Sequence, residues 1–157
     1  MGEIRHRVGI DAPIGEVYEA FATREGGARW WSQDVRGDDG VGGKLEFRFG
    51  GPELVATMEL VELTSPDRVV WRCVAGPGEW IGTTISFDLT ANGDETVVLF
   101  THAGWAQPVE FMHHCTTAWG YYLLSAKHAL EGGRANPWPR NEKISSWDPP
   151  TGDEVAA

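Results

Sequence analysis

The stretch from Pro108 to Gly132, PVEFMHHCTTAWGYYLLSAKHALEG, decides the fold. Met112, Cys115, Thr116, Trp119, Leu123, Ala126 and Leu130 recur at steps of three and four residues, which places them on one face of a helix. Phe111, Tyr122 and Ala129 widen that face, and Glu110, His114, Tyr121 and His128 fall opposite it. Pro108 suits the first turn, where its missing N–H is not needed, and Gly132-Gly133 suit the stop. Gly120 stands mid-helix at a cost of about 1 kcal/mol relative to alanine. A helix of this span, about 37 Å long at about 1.5 Å per residue, needs a large apolar surface to lie on.

The chain before it is patterned to supply that surface. Ile4, His6, Val8 and Ile10 alternate with charged residues as a half-buried strand does. Pro13 then opens a short helix with Ile14, Val17, Tyr18 and Phe21 on its buried face. A second short helix or turn follows from Thr23 to Trp31, and Asp34 to Gly43 reads as an Asp- and Gly-rich loop. Five strands are expected next: Lys44–Phe49, Glu53–Leu63, Arg68–Val74, Trp80–Leu89 and Thr96–Thr101. Short turns part them, Ala91-Asn92-Gly93-Asp94 being the strongest, so the strands form an antiparallel meander. In Trp80–Leu89 the residues Ile81, Ile85, Phe87 and Leu89 share parity, and Val98, Phe100 and His102 share it in the last strand. The predicted class is α+β: a curved antiparallel sheet gripping a long C-terminal helix, with two short helices after the first strand. Residues 1–132 make this domain. Residues 133–157 form a Pro-rich tail in which Trp138 and Trp147 stand alone; two such side chains are costly to leave in water, which favours docking of one or both on the domain, while the segment's composition equally fits a disordered tail.

Composition narrows the function classes. Net charge is −10 over 157 residues, which disfavours phosphate-backbone and anionic-membrane binding. No apolar run reaches membrane-spanning length and no signal peptide opens the chain, so cytoplasmic residence is expected. Two cysteines, Cys73 and Cys115, make no disulfide framework. No HExxH, CxxC, GxSxG, P-loop or GxGxxG pattern occurs, so no metal, no cofactor and no catalytic residue is assigned. Glu46, Arg48, Arg72 and Asp88 lie opposite in parity to their apolar neighbours and belong on the outer sheet face.

The informative residues are the aromatics, including eight tryptophans. A concave sheet leaves volume beneath a gripped helix. The candidate ligand-binding residues are Trp30, Trp31, Phe47, Phe49, Trp71, Trp80, Phe87, Phe100, His102, Trp105, Met112, Cys115, Trp119, Tyr122 and Leu123. Each alone is consistent with ordinary core packing; together they describe an aromatic pocket with few polar groups. Trp119 is expected as its floor and His102 as its principal polar handle.

One set of motifs carries a family resemblance. Ala12-Pro13 precedes Val17-Tyr18 and Ala20; Trp30-Trp31 form a pair; Gly42-Gly43 precede an aromatic strand. Glu79-Trp80, the run Thr96 to His102, Gly104-Trp105, then Trp119, Leu123 and Leu130-Glu131 follow in order. In this order residues 1–132 resemble the activator of heat-shock protein 90 ATPase homologue family (C-terminal type) of the START-like helix-grip (SRPBCC) superfamily. The resemblance implies the fold; function on such a fold varies. The leading expectation is a non-enzymatic module, monomer or homodimer, holding a small apolar or aromatic molecule. The resemblance also permits a polyketide cyclase-type enzyme using the same cavity, with His102 and Tyr122 as proton-transfer groups, and a co-chaperone acting on a chaperone ATPase. The last is disfavoured, since no separate docking domain is visible in the chain.

Overall fold

The structure is a computed structural model, and it describes residues 2–152. Residue 1 of the expected domain and residues 153–157 of the expected tail lie outside the described residues.

Seven strands form one antiparallel sheet in the order β1-β7-β6-β5-β4-β3-β2. They are β1 (Gly2–Ile10), β2 (Asp34–Gly37), β3 (Lys44–Arg48), β4 (Val55–Thr64), β5 (Arg68–Ala75), β6 (Thr84–Asn92) and β7 (Glu95–Trp105). Helices α1 (Ile14–Ala22) and α2 (Arg24–Ala28) follow β1, and α3 (Glu110–Leu130) follows β7. From β2 onward each strand pairs with its successor, and β1 closes the far edge by pairing with β7. This is the helix-grip arrangement. Cross-strand register brings the apolar alternates into rows on the inner face: Phe47 opposite Ala56, Met58 opposite Cys73, Trp71 opposite Ile85, Phe87 opposite Phe100. These side chains are all buried.

Helix α1 ends against the aromatics rather than in water. A helix leaves its last carbonyls without intrahelical partners. Here the Thr23 hydroxyl donates to Glu19 O, the Trp30 indole N–H to Ala20 O at 2.8 Å, and the Trp71 indole N–H to Phe21 O at 3.0 Å. α2 packs so closely that a Cβ on Gly26 would sit 2.1 Å from Glu19 O. That approach sets Trp30 and Trp31 under the sheet, where Trp31 stacks on Trp71 with centroids 5.9 Å apart.

Helix α3 lies across the sheet beside β1. His6 Nε2 bonds Thr116 O at 3.1 Å, and Lys127 Nζ donates to Gly9 O at 2.6 Å. A Cβ on Gly120 would lie 3.4 Å from the His6 ring, so this mid-helix glycine faces the strand. The helix closes as expected: Gly132 takes φ +80° and Gly133 N–H bonds His128 O.

Four expectations are corrected. Asp34–Gly37, read as loop, is the edge strand β2; with Val35 its one large apolar residue it gives no alternation, and pairing with β3 creates it. The strand expected from Trp80 starts only at Thr84: Trp80 ends a 3-10 turn (Gly78–Trp80) and Gly82 takes φ +88°, so the period breaks and Ile81 points outward, 55% exposed. Thr116 is exposed, whereas Ser125, read as neither face, is buried with its hydroxyl donating to Trp30 O. Pro108 precedes the helix, whose N-cap is Val109.

The tail runs back over the domain. Trp138 N–H bonds Trp31 O, Gln33 N–H bonds Trp138 O, and the Trp138 indole donates to Pro150 O. Trp138 is buried. The tail also covers part of the α3 face read as solvent-facing: Glu142 N–H donates to Tyr121 Oη, and Ser145 Oγ lies 2.6 Å from His114 Nδ1.

Candidate functional site

The interior beneath α3 divides into a filled centre and a cavity at one end. The centre is occupied by the protein's own rings. Trp80 stacks on Trp119 at 5.5 Å, Phe100 packs on Trp119 at 4.8 Å, and Phe21 stacks on Phe87 at 4.3 Å. His102 lies among them with no exposed surface. Its Nδ1 accepts the Trp119 indole N–H at 3.1 Å, which puts the imidazole proton on Nε2. Nε2 then donates to Thr83 Oγ1 at 2.8 Å, and the Thr83 hydroxyl donates to Trp80 O. Burial holds the imidazole down at about 3, so the ring is neutral. The expected polar handle is thus fully engaged within the protein, and the expected floor, Trp119, is its hydrogen-bond donor.

The cavity, about 410 Å³, opens between the sheet end, α3 and the tail. Trp31, Phe49 and Trp80 line it from the domain side, Phe111, Cys115, Ala118 and Tyr122 from α3, and Trp147, Asp148 and Pro149 from the tail. Glu53 to Ala56, with Gly76-Pro77, form the rim. Of the candidate residues, Trp31, Phe49, Trp80, Cys115 and Tyr122 meet here. Trp30, Phe47, Trp71, Phe87, Phe100, His102, Trp105, Trp119 and Leu123 are packed behind the wall. Met112 lies elsewhere on α3, its methyl 3.0 Å from where a Cβ on Gly2 would stand.

Two polar groups on this wall have no oxygen or nitrogen partner among the described residues. The Tyr122 hydroxyl makes no hydrogen bond, and its pKa is raised by burial and by the nearby Asp148 and Tyr121. The buried Trp80 indole N–H finds no oxygen or nitrogen acceptor and meets only sulfur. It lies near the Cys115 sulfur and favours its thiolate, but burial dominates and pushes that thiol up to about 12. Cys73 is pushed up to about 11 by the same cause. Neither thiol is a nucleophile at neutral pH.

His114, Ser145 and Asp148 meet at the rim, the residue types of a hydrolase triad. Their geometry is that of a latch. Asp148 Oδ2 accepts the N–H groups of Ile144 and Ser145, while its Oδ1 stands 3.5 Å from His114 Nε2, beyond a good hydrogen bond. Ser145 Oγ also accepts Trp147 N–H, at 3.3 Å. The cluster pins the tail so that Trp147 packs on Phe111 and His114, each at 5.7 Å. Sequence reasoning missed Phe111, His114, Trp147 and Asp148 as wall residues. Trp147, an isolated indole in a Pro-rich segment, was the one signal pointing there.

Among the described residues no group of three or more His, Cys, Asp or Glu side chains is arranged to hold a metal, and no helix is long and apolar enough to cross a membrane.

Comparison with solved structures finds the same fold repeatedly. The Aha1 dimer from Colwellia psychrerythraea is 39% identical, with TM-score 0.77 over 86% of this chain and all (100%) of that one. CalU16 from Micromonospora echinospora is 22% identical, TM-score 0.68, over 85% of this chain and 76% of that one. DynU16, a protein of the dynemicin biosynthetic locus, is 19% identical, TM-score 0.70, over 87% of this chain and 49% of that one. The latter two support the fold alone. Comparison with curated proteins gives no match. The family model described as "Activator of Hsp90 ATPase homolog 1-like protein" matches residues 11–131, which span the scaffold from the first helix to the end of α3, and the chain belongs to that family.

Proposed function

We propose that this chain is a binding module, without chemistry of its own, for a small apolar or aromatic molecule held in the cavity under the tail. The carrying observation is the wall itself: about 410 Å³ bounded largely by aromatic rings, with the Tyr122 hydroxyl on it and the Trp80 N–H facing only the Cys115 sulfur. Pockets of this size and lining suit small organic ligands, and a few placed polar groups orient them. A buried N–H whose partner is a sulfur is only weakly satisfied, and a ligand oxygen improves on it. Trp31, Phe49, Trp80, Cys115 and Tyr122 are the proposed contacts. A cyclase-type mechanism through His102 is not favoured, because both imidazole nitrogens are engaged and a ring held neutral to about 3 is a poor proton shuttle near neutrality.

The test is titration with a neutral apolar fluorophore such as N-phenyl-1-naphthylamine, with native mass spectrometry of the purified protein for co-purifying molecules. Saturable one-to-one binding is expected, weakened in Trp80→Ala. For ligands carrying a carbonyl or hydroxyl, Tyr122→Phe should weaken binding by about 3- to 10-fold, the usual worth of one neutral hydrogen bond. Absence of saturable binding, with no co-purifying molecule, overturns the reading.

A further inference from the structure

Resting on that reading, we infer that the cavity selects an organic cation: a ligand with an aromatic or branched apolar body and an ammonium-type head. The wall combines two features that favour positive charge. Its rings include Trp31, Phe49, Trp80, Tyr122 and Trp147, and an aromatic face attracts a cation through the ring quadrupole, most strongly where water is excluded. Its charges are acidic: Glu53 and Asp148 line it, and no lysine or arginine does.

The state of each charged group decides the sign. His114 is the one basic side chain on the wall, and it is held between Ser145 Oγ and Asp148. Asp148 is mostly covered, and its field reaches inward, where it opposes ionisation of both the Cys115 thiol and the Tyr122 phenol. Glu79 acts on Cys115 in the same sense. Two groups two turns apart on the same face of α3 therefore sense a negative environment. Glu53 is exposed at the rim and makes no ion pair or hydrogen bond among the described residues. An anionic head entering here meets two carboxylates and no mobile cation. A cationic head meets ring faces and the Glu53 carboxylate, and the Tyr122 oxygen can accept from it if it carries N–H groups.

The test compares three ligands that differ mainly in charge: (2-naphthylmethyl)trimethylammonium, its neutral carbon isostere 2-(2,2-dimethylpropyl)naphthalene, and 2-naphthylacetate. Binding to the full chain is followed by tryptophan quenching and calorimetry at about 0.15 M and about 0.5 M salt, the latter screening attraction to the acidic surface at large. The cation is expected to bind at least about 10-fold tighter than the neutral isostere at both salts, and the anion more weakly than either. Glu53→Gln should narrow the cation-to-neutral ratio by about 3-fold or more. A neutral isostere that binds as tightly as the cation, or a preference that vanishes at high salt, overturns the inference and leaves the binding-module reading standing. A ratio unchanged in Glu53→Gln likewise overturns the assignment. Failure of all three ligands to bind overturns the inference, and together with the absence of any co-purifying molecule it removes the binding-module reading as well.

Discussion

His102 should make this protein acid-sensitive in a way that one substitution can remove. The folded imidazole stays neutral down to about 3, against an ordinary value of 6.5 in the unfolded chain. The folded pKa lies below the unfolded one. The unfolded state therefore takes up a proton as pH falls through about 6.5 while the folded state does not. Stability from this group is complete above about 6.5 and is lost progressively toward about 3. From about pH 7.5 to about pH 4.5 the loss is two units of proton affinity, or about 3 kcal/mol. The side chain is wholly buried, so solvent screening does not discount this. Glutamine in its place offers an acceptor for the Trp119 N–H and a donor for Thr83 Oγ1 but does not titrate. His102→Gln should cost about 1–2 kcal/mol at about pH 7.5 through imperfect hydrogen bonds. It should then equal or exceed the wild-type protein at about pH 4.5. Urea unfolding at the two pH values, extrapolated to water, reads both numbers. Carboxylates and the other histidines are common to both proteins and cancel in the difference. Wild type and variant keeping a constant gap, within about 0.5 kcal/mol at both pH values, would refute the reasoning.

Other expectations follow from close contacts and burial. Gly26→Ala should destabilise by about 1–3 kcal/mol, because its methyl meets the α1 backbone, whereas Gly15→Ala, with open space around it, should stabilise by about 0.5 kcal/mol; equal signs in denaturant unfolding would contradict the packing. Trp138→Ala should release the tail, seen as faster tryptic cleavage at Arg134 and Arg140 with the domain still folded; an unchanged cleavage rate would mean the indole does not anchor it. Cys73 and Cys115 should resist a disulfide reagent at about pH 8 and both react once denaturant is added, since each is buried with its thiol pKa raised; rapid reaction of the native protein would contradict this.

The long helix, the meander and the inner face of the sheet were legible in the sequence because they rest on periodicity. Leu45 and Phe47 in β3, Trp71 in β5, Phe87 in β6 and Phe100 in β7 each sit where alternation puts them. Alternation and helical spacing are properties of a segment and its solvent exposure, so one chain is enough to read them. The edge strand β2 was invisible, because its four residues carry no pattern and exist as a strand only through pairing with β3. The outward turn of Ile81 was hidden for a related reason: backbone geometry at Gly82 overrides the side-chain pattern.

The site was legible only as a set of residue types. Sequence placed fifteen side chains around one supposed pocket; five of them line the cavity and the others pack behind it or elsewhere. Spacing says that Trp119 and His102 face inward, and they do, but inward is either packed or hollow. Which one holds depends on how Trp30, Trp31 and Trp80 fill the centre, through contacts between segments far apart in the chain. The cavity is completed by Trp147 and Asp148, brought to α3 by the His114–Ser145 latch and the Trp138 anchor. Periodicity determined which faces are apolar. Packing between distant segments decided where the space between those faces stays open, and only the tertiary structure contains that information.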